Sequence, residues 1–169
     1  MTNRYRLATI SLLLGVLFGC SSGPDVIPKP LESQIDRSVT FDQIAQTPDS
    51  YVGRTVVVGG EVLKATRRSE GTELEVLELP LDKHHRPAGQ RMASRGRFLA
   101  LDRQGMDPAA FPPGMPVTVV GEVRGATTQR LDESQQRYAM LDIKHVHAWT
   151  EDPYERRGWG PSVGVGVGV

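Results

Sequence analysis

Between residues 55 and 149, apolar side chains recur in short β-branched runs punctuated by glycine and proline, a pattern of strands rather than helices. Val56-Val57-Val58 leads into Gly59-Gly60-Glu61-Val62, where adjacent glycines predict a strand with a bulge or sharp bend. The stretch Gly53 to Val62 recurs without gaps, 61 residues later, as Gly114 to Val123. Each copy is preceded by a proline (Pro48, Pro108) and an aromatic residue (Tyr51, Phe111). Two copies are too few for a solenoid and predict two similar bent strands in one domain. Thr72 to Leu79 reads as another strand, although its alternation slips at Val76-Leu77 and Glu73 to Leu77 alone also fits one helical turn. Arg97 to Leu101 predicts a short strand. Tyr138 to Trp149 predicts a long last one, with Leu141 and Ile143 facing in and Asp142 and Lys144 facing out.

Ahead of the strands, Thr40-Phe41-Asp42-Gln43 has the form of a capping box, with Phe41, Ile44 and Ala45 at helical spacing and Pro48 ending the helix. Five strands in about 100 residues, the first bent at glycine, predict an all-β domain: a small five-stranded OB-like barrel, closed or half-closed, with a short N-terminal helix. The alternative is another small antiparallel β-sandwich.

The N-terminus carries a different pattern. Arg4 and Arg6 precede an apolar run from Leu7 to Phe18, and Gly19 stands before Cys20, the single cysteine of the chain. A cationic region, a hydrophobic region and a small residue at the cut form the leader of an exported bacterial protein. A run of about 12 residues is too short for a hydrocarbon core that needs roughly 20. Leu17-Phe18-Gly19-Cys20 has the form of a lipobox, with Leu17 at −3, the bulkier Phe18 at −2 and Cys20 as the acceptor of a thioether-linked diacylglycerol and an N-acyl chain. Two or more chains anchor stably where one does not. Ser21 and Ser22, with no aspartate directly after the cysteine, predict sorting to the outer membrane of a Gram-negative cell, with the domain in the periplasm.

These readings divide the chain into a leader (1–19), a lipidated tether (20–37) whose Pro24, Pro28 and Pro30 favour extended backbone, a β-domain (38–150) and a Gly-rich flexible tail (151–169) ending in Gly-Val repeats. The leader holds two of the 20 cationic residues and none of the 20 acidic ones, so the mature chain has 18 against 20. That balance offers no basic face for nucleic acid. With Cys20 acylated no thiol remains for a disulfide or a thiolate metal site, so the core alone must hold the domain together.

The order of several segments resembles the Slp family of Gram-negative outer-membrane lipoproteins, named for starvation induction. These are the lipobox ending at Cys20, Phe41 with Ile44, Pro48, Tyr51-Val52-Gly53 and Gly59-Gly60-Glu61-Val62, then Thr72-Glu73-Leu74-Glu75 and Leu79-Pro80-Leu81-Asp82. Arg86-Pro87, Gly96-Arg97-Phe98-Leu99-Ala100, Asp107-Pro108, Val117-Thr118-Val119, Tyr138 and Trp149 complete the series. The tail departs from the family's ends beyond Trp159-Gly160-Pro161. The resemblance implies an envelope lipoprotein of stationary-phase or stress physiology with no catalytic residues to carry over.

Other chemistry is sparse. His145 and His147 lie two apart on a predicted strand and so share a face, but two ligands do not make a metal site without a third from His84, His85 or a carboxylate. Lys83-His84-His85-Arg86 with Arg91, Arg95 and Arg97 forms the most basic stretch, in a loop whose arginine forks suit phosphates of lipid A or anionic peptidoglycan. No Gly-x-Ser-x-Gly elbow, His-Glu-x-x-His or phosphate loop occurs. The expected protein is therefore a non-catalytic binding or protective module without catalytic or metal sites, and with no cofactor beyond the acyl chains on Cys20. Its expected partners are membrane lipid through the N-terminus and possible further envelope components, protein or anionic. A periplasmic enzyme and a subunit of an envelope assembly are the alternatives.

Overall fold

A computed structural model describes residues 25–131 and 134–150. Cys20, the leader and the tail beyond Thr150 lie outside the described residues, and so do the expectations placed on them.

Five strands make one sheet: β1 (Thr55–Arg68), β2 (Gly71–Glu78), β3 (Arg97–Asp102), β4 (Pro116–Leu131) and β5 (Ser134–Ala148). They follow the order β1-β2-β3-β5-β4 and close into a barrel through β1 and β4. All pairings are antiparallel except β3 with β5. This is the OB-type arrangement, and among the described residues closure leaves no second sheet for a sandwich. Helix α1 (Lys29–Glu32) is a single turn, and α2 (Phe41–Gln46) begins where the Gln43 side chain accepts the Thr40 N–H at 2.8 Å.

The repeated segments are the seam of the barrel. Residue i of the first copy corresponds to i+61 of the second, and the β1–β4 register pairs Val58 with Val119, which are themselves equivalent. A local twofold axis therefore passes between these two valines, and the surrounding hydrogen bonds obey it. Gly53 N–H donates to the Val123 carbonyl (2.9 Å) as Gly114 N–H does to that of Val62 (2.8 Å). Val62 N–H donates to Met115 O as Val123 N–H does to Arg54 O, both at 2.9 Å. Gly53 and Gly114 both adopt positive φ (82° and 91°), which a residue with a Cβ enters at a cost. Even the bulges correspond: β1 slips between Val62 and Lys64, β4 between Val123 and Gly125. The irregularity expected at Gly59-Gly60 thus falls three residues beyond Gly60, and β4 has its equivalent at the corresponding place.

The interior is built from the alternate residues of these strands: Val56, Val58 and Val62, their equivalents Val117, Val119 and Val123, with Leu74, Val76, Phe98, Ala100 and Leu141. Phe41 and Ile44 of α2 join the same cluster, the Phe41 and Phe98 rings lying 5.9 Å apart. The alternation of β2 is unbroken, with Thr72, Leu74, Val76 and Glu78 buried; the slip noted at Val76-Leu77 arises because Glu78 takes an inward position and Leu77 an outward one. Glu78, 2% exposed, is held by Arg95, whose backbone N–H and guanidinium both reach its carboxylate and whose side chain also binds Asp42.

Residues 25–37 differ from the expectation of a free tether. Ile27 is 3% exposed, Ile35 bridges to Thr55, the Asp36 N–H donates to Thr55 O at 2.8 Å, and Asp36 pairs with Arg54. Two apolar side chains repeat too little for a periodic signal, and the prolines that mark extended backbone also permit a one-turn helix beginning on proline. The folded body therefore begins by Ile27.

Candidate functional site

His145 and His147 do share a face. On β5 the register slips at Lys144, so that Leu141 and Ile143 pack inward before it and Val146 and Ala148 after it. The two histidines pair with Val120 and Thr118 on the outer side. His147 lies edge-on to Trp149, with ring centroids 4.6 Å apart. Burial, and then the neighbouring His145, hold the His147 imidazole below its ordinary value. The described residues contain no group of three or more His, Cys, Asp or Glu side chains placed to hold a metal ion.

The basic stretch is divided by its partners. Arg91 pairs with Glu61, Arg95 with Glu78 and Asp42, and Arg97 with Glu75, so three of its four arginines serve the fold. Hydrogen bonding to Arg91 keeps the Glu61 carboxyl below the usual range. Lys83, His84 and Arg86 remain exposed, on a tight loop that Asp82 organises. Its carboxylate accepts the N–H groups of His84 (2.7 Å) and Arg86 (2.9 Å), bonds that, with the Arg86 amide foremost, lower its pKa. His85 takes a left-handed conformation at φ 60°.

The loop is fastened to the barrel at two places. Leu81 and Pro87, which bridge to each other, pack over Gly59, where an added Cβ would lie 2.2 Å from Leu81 Cδ2. On the other side the Thr118 hydroxyl donates to His85 O (2.5 Å) and accepts from Trp149 Nε1 (3.0 Å). The Arg86 guanidinium lies 5.2 Å from the centre of the Trp149 ring, within cation–π range. An open cleft of about 340 Å³ at this end is lined by Asp25, Ile27, Glu32, Lys83, His84 and Trp149, among others. The loop, the end of β5 and the N-terminal segment thus meet at one place. Sequence reasoning singled out the basic residues and Trp149 separately; the contact between them depends on barrel closure.

A second open cleft, of about 450 Å³, contains Asp102, Lys144 and His145. Its charged groups are already engaged, Asp102 by the Met106 N–H (2.7 Å) and Lys144 by Thr55 Oγ1 (3.0 Å) and Glu122 (3.2 Å). No described helix is long and apolar enough to cross a membrane.

Comparison with known proteins adds the following. A protein of Escherichia coli (strain K12) described as "Uncharacterized lipoprotein YeaY" is 30% identical over 139 residues, covering 79% of this chain and 67% of the relative. A solved structure of a small single-stranded DNA-binding protein from Streptomyces coelicolor matches 60% of this chain and 95% of its own at 14% identity, with a TM-score of 0.35. Another, described as an aspartyl-tRNA synthetase from Leishmania major Friedlin, matches 62% of this chain and only 19% of its own at 13% identity and a TM-score of 0.39. Scores this low support no statement about ligands. The family model described as "Outer membrane lipoprotein Slp family" matches residues 17–165, from within the lipobox to within the tail, and with it the chain belongs to the Slp family of outer membrane lipoproteins.

Proposed function

We propose that the protein is anchored to the periplasmic face of the outer membrane by acyl chains on Cys20, and that its barrel acts there as a non-catalytic binding or envelope-protective module during starvation or stress. The observation that carries this reading is the lipobox Leu17 to Cys20 followed within seven residues by the buried Ile27. An acylated cysteine so close to the barrel keeps the whole domain at a membrane surface. The absence of catalysis is supported by the state of the charged side chains. Arg68 pairs with Glu73, Arg91 with Glu61, Arg95 with Glu78 and Arg97 with Glu75, so these carboxylates stabilise the barrel rather than converge on a reacting atom.

Mass spectrometry of the N-terminal peptide from the membrane-purified protein, beside a Cys20→Ala variant, tests the anchor. The expected result is a peptide beginning at Cys20 that carries diacylglycerol and an N-acyl chain, in protein that co-fractionates with outer membrane. A bare cysteine sinks the reading. Survival of a deletion strain in prolonged stationary phase tests the physiological part, which fails if the strain survives as well as its parent under several envelope stresses.

A further inference from the structure

We infer that the end of the barrel bearing the Lys83–Arg86 loop and Trp149 rests on the bilayer, with Lys83 and Arg86 against lipid headgroup phosphates. This deepens the proposal above and depends on acylation of Cys20. The first argument is reach. Four residues lie between Cys20 and Asp25, and the five steps from one to the other span at most about 18 Å. Asp25 shares its cleft with Lys83, His84, His85 and Trp149, so the attachment point and this loop lie at the same end. The Ser69-Glu70 turn lies beyond the other end of β1, ten residues from the Gly59 on which the loop packs, or roughly 30 Å along the strand.

Reach alone would let the domain lie on its side; the chemistry of the end selects among orientations. Trp149 is half-buried with its indole N–H satisfied by Thr118, and Arg86 lies over its ring, the pairing of amphipathic aromatic and cation suited to a headgroup layer. Lys83 and Arg86 are exposed, and the carboxylate nearest to them, Asp82, is turned into the loop to accept two backbone N–H groups. Asp25 and Glu32 line the same cleft, so the contact is with the phosphates nearest the loop rather than with a broad anionic field. Arg91, Arg95 and Arg97 take no part because carboxylates of the fold hold them.

With its only cysteine acylated, the chain accepts a single label at an introduced thiol. The full mature lipoprotein is reconstituted into phosphatidylethanolamine–phosphatidylglycerol vesicles, labelled at Ala88→Cys beside the loop or at Ser69→Cys at the far end, and energy transfer to a headgroup-labelled lipid is measured. Transfer is expected to be higher from position 88. Adding Lys83→Glu with Arg86→Glu is expected to reduce the docked population at least about tenfold, each cation near an anionic surface being replaced by a repelled charge, and to bring transfer down toward the position-69 level. Equal or lower transfer from position 88 in protein that floats with the vesicles overturns the inference and leaves the anchor standing. High transfer unchanged by charge reversal overturns the phosphate contact. Failure to float overturns the anchor and the inference together.

Discussion

Arg95→Met removes a guanidinium and keeps an apolar stem over Phe41, whose ring the guanidinium approaches at 5.8 Å. The loss falls on Glu78. That carboxylate is 2% exposed and would keep only the Arg95 backbone N–H, at 3.2 Å, of the partners it has now. Breaking a fully buried ion pair costs about 3–5 kcal/mol, and an exposed pair is worth about 0.2–1 kcal/mol. Arg95 is 37% exposed, so water already screens one side of this pair. We expect a cost of about 2–3 kcal/mol, between the two limits. Glu78→Gln should cost less, because the charge it leaves unpaired is the one that water reaches and that Asp42 still binds. The assay is urea unfolding of the mature chain carrying Cys20→Ser. At about 1–3 kcal/mol per molar, Arg95→Met should lower the midpoint by about 0.7–3 M. The double variant should be more stable than the sum of the single losses implies, because no charge is then left buried. If Glu78→Gln proves the costlier change, or the two losses simply add, burial of the carboxylate is not what the pair resolves.

Three further outcomes follow from the geometry. Gly60→Ala would set a Cβ 2.0 Å from the Leu77 carbonyl oxygen, part of the β1–β2 ladder that cannot yield, and should cost about 3 kcal/mol or more; Gly59→Ala meets the flexible end of Leu81 and should cost less than about 1.5 kcal/mol in the same urea assay. Because burial lowers the His147 pKa below its ordinary 6.5, the unfolded state binds the extra proton first, so stability is fully present above about pH 6.5 and declines as pH falls below it. His147→Phe should flatten that part of the thermal stability profile between about pH 7.5 and 5.5, and an unchanged slope would refute it. The Glu61 carboxyl, lowered by Arg91, contributes stability that is present above pH 4.5 and lost in more acid solution; Arg91→Met should remove this small component, as seen by the loss of acid sensitivity relative to the parent.

The strands were legible because their signals are local. β-branched runs, the repeat and the capping box at Thr40 each act within a few residues, and β2, β3 and α2 lie where those runs place them, to within one residue at most ends, whereas β1 begins there but continues six residues past Val62. β4 and β5 run further, into a ribbon of polar residues such as Thr127, Thr128, Gln129, Gln135 and Gln136 that carry no apolar alternation but satisfy one another's backbones. The parallel pairing of β3 with β5 and the docking of Ile27 depend on contacts across the whole chain. His145 and His147 show the limit most clearly: unbroken alternation from Leu141 would turn them inward, and one unpaired residue, Lys144, turns them out. The partners of Arg91, Arg95 and Arg97 were hidden for the same reason. A run of arginines reads as an anion site until the folded chain brings Glu61, Glu78 and Glu75 to them.

The two halves of the seam also explain why the candidate face lies on one side of it. Their inward positions match: Val56, Val58, Gly60 and Val62 correspond to Val117, Val119, Gly121 and Val123, and a barrel interior requires this of two strands related by a twofold axis. Outside, the copies differ at Thr55/Pro116, Val57/Thr118 and Gly59/Val120, and the last of these decides what can lie against the strand. Val120 is fully buried, whereas the bare backbone at Gly59 admits Leu81 and Pro87, and its carbonyl accepts the Leu79 N–H at 3.0 Å. The β2–β3 connection therefore lies down on the first copy at the point where it must turn, and carries Lys83 and Arg86 to the second copy's Thr118 and to Trp149. With a valine at residue 59, as at the equivalent Val120, the loop would have to lift, and the basic residues would leave the end of the barrel at which the N-terminal segment enters. The symmetric interior closes the fold; a missing Cβ on its outer surface lets the Lys83–Arg86 loop make one end of that fold unlike the other.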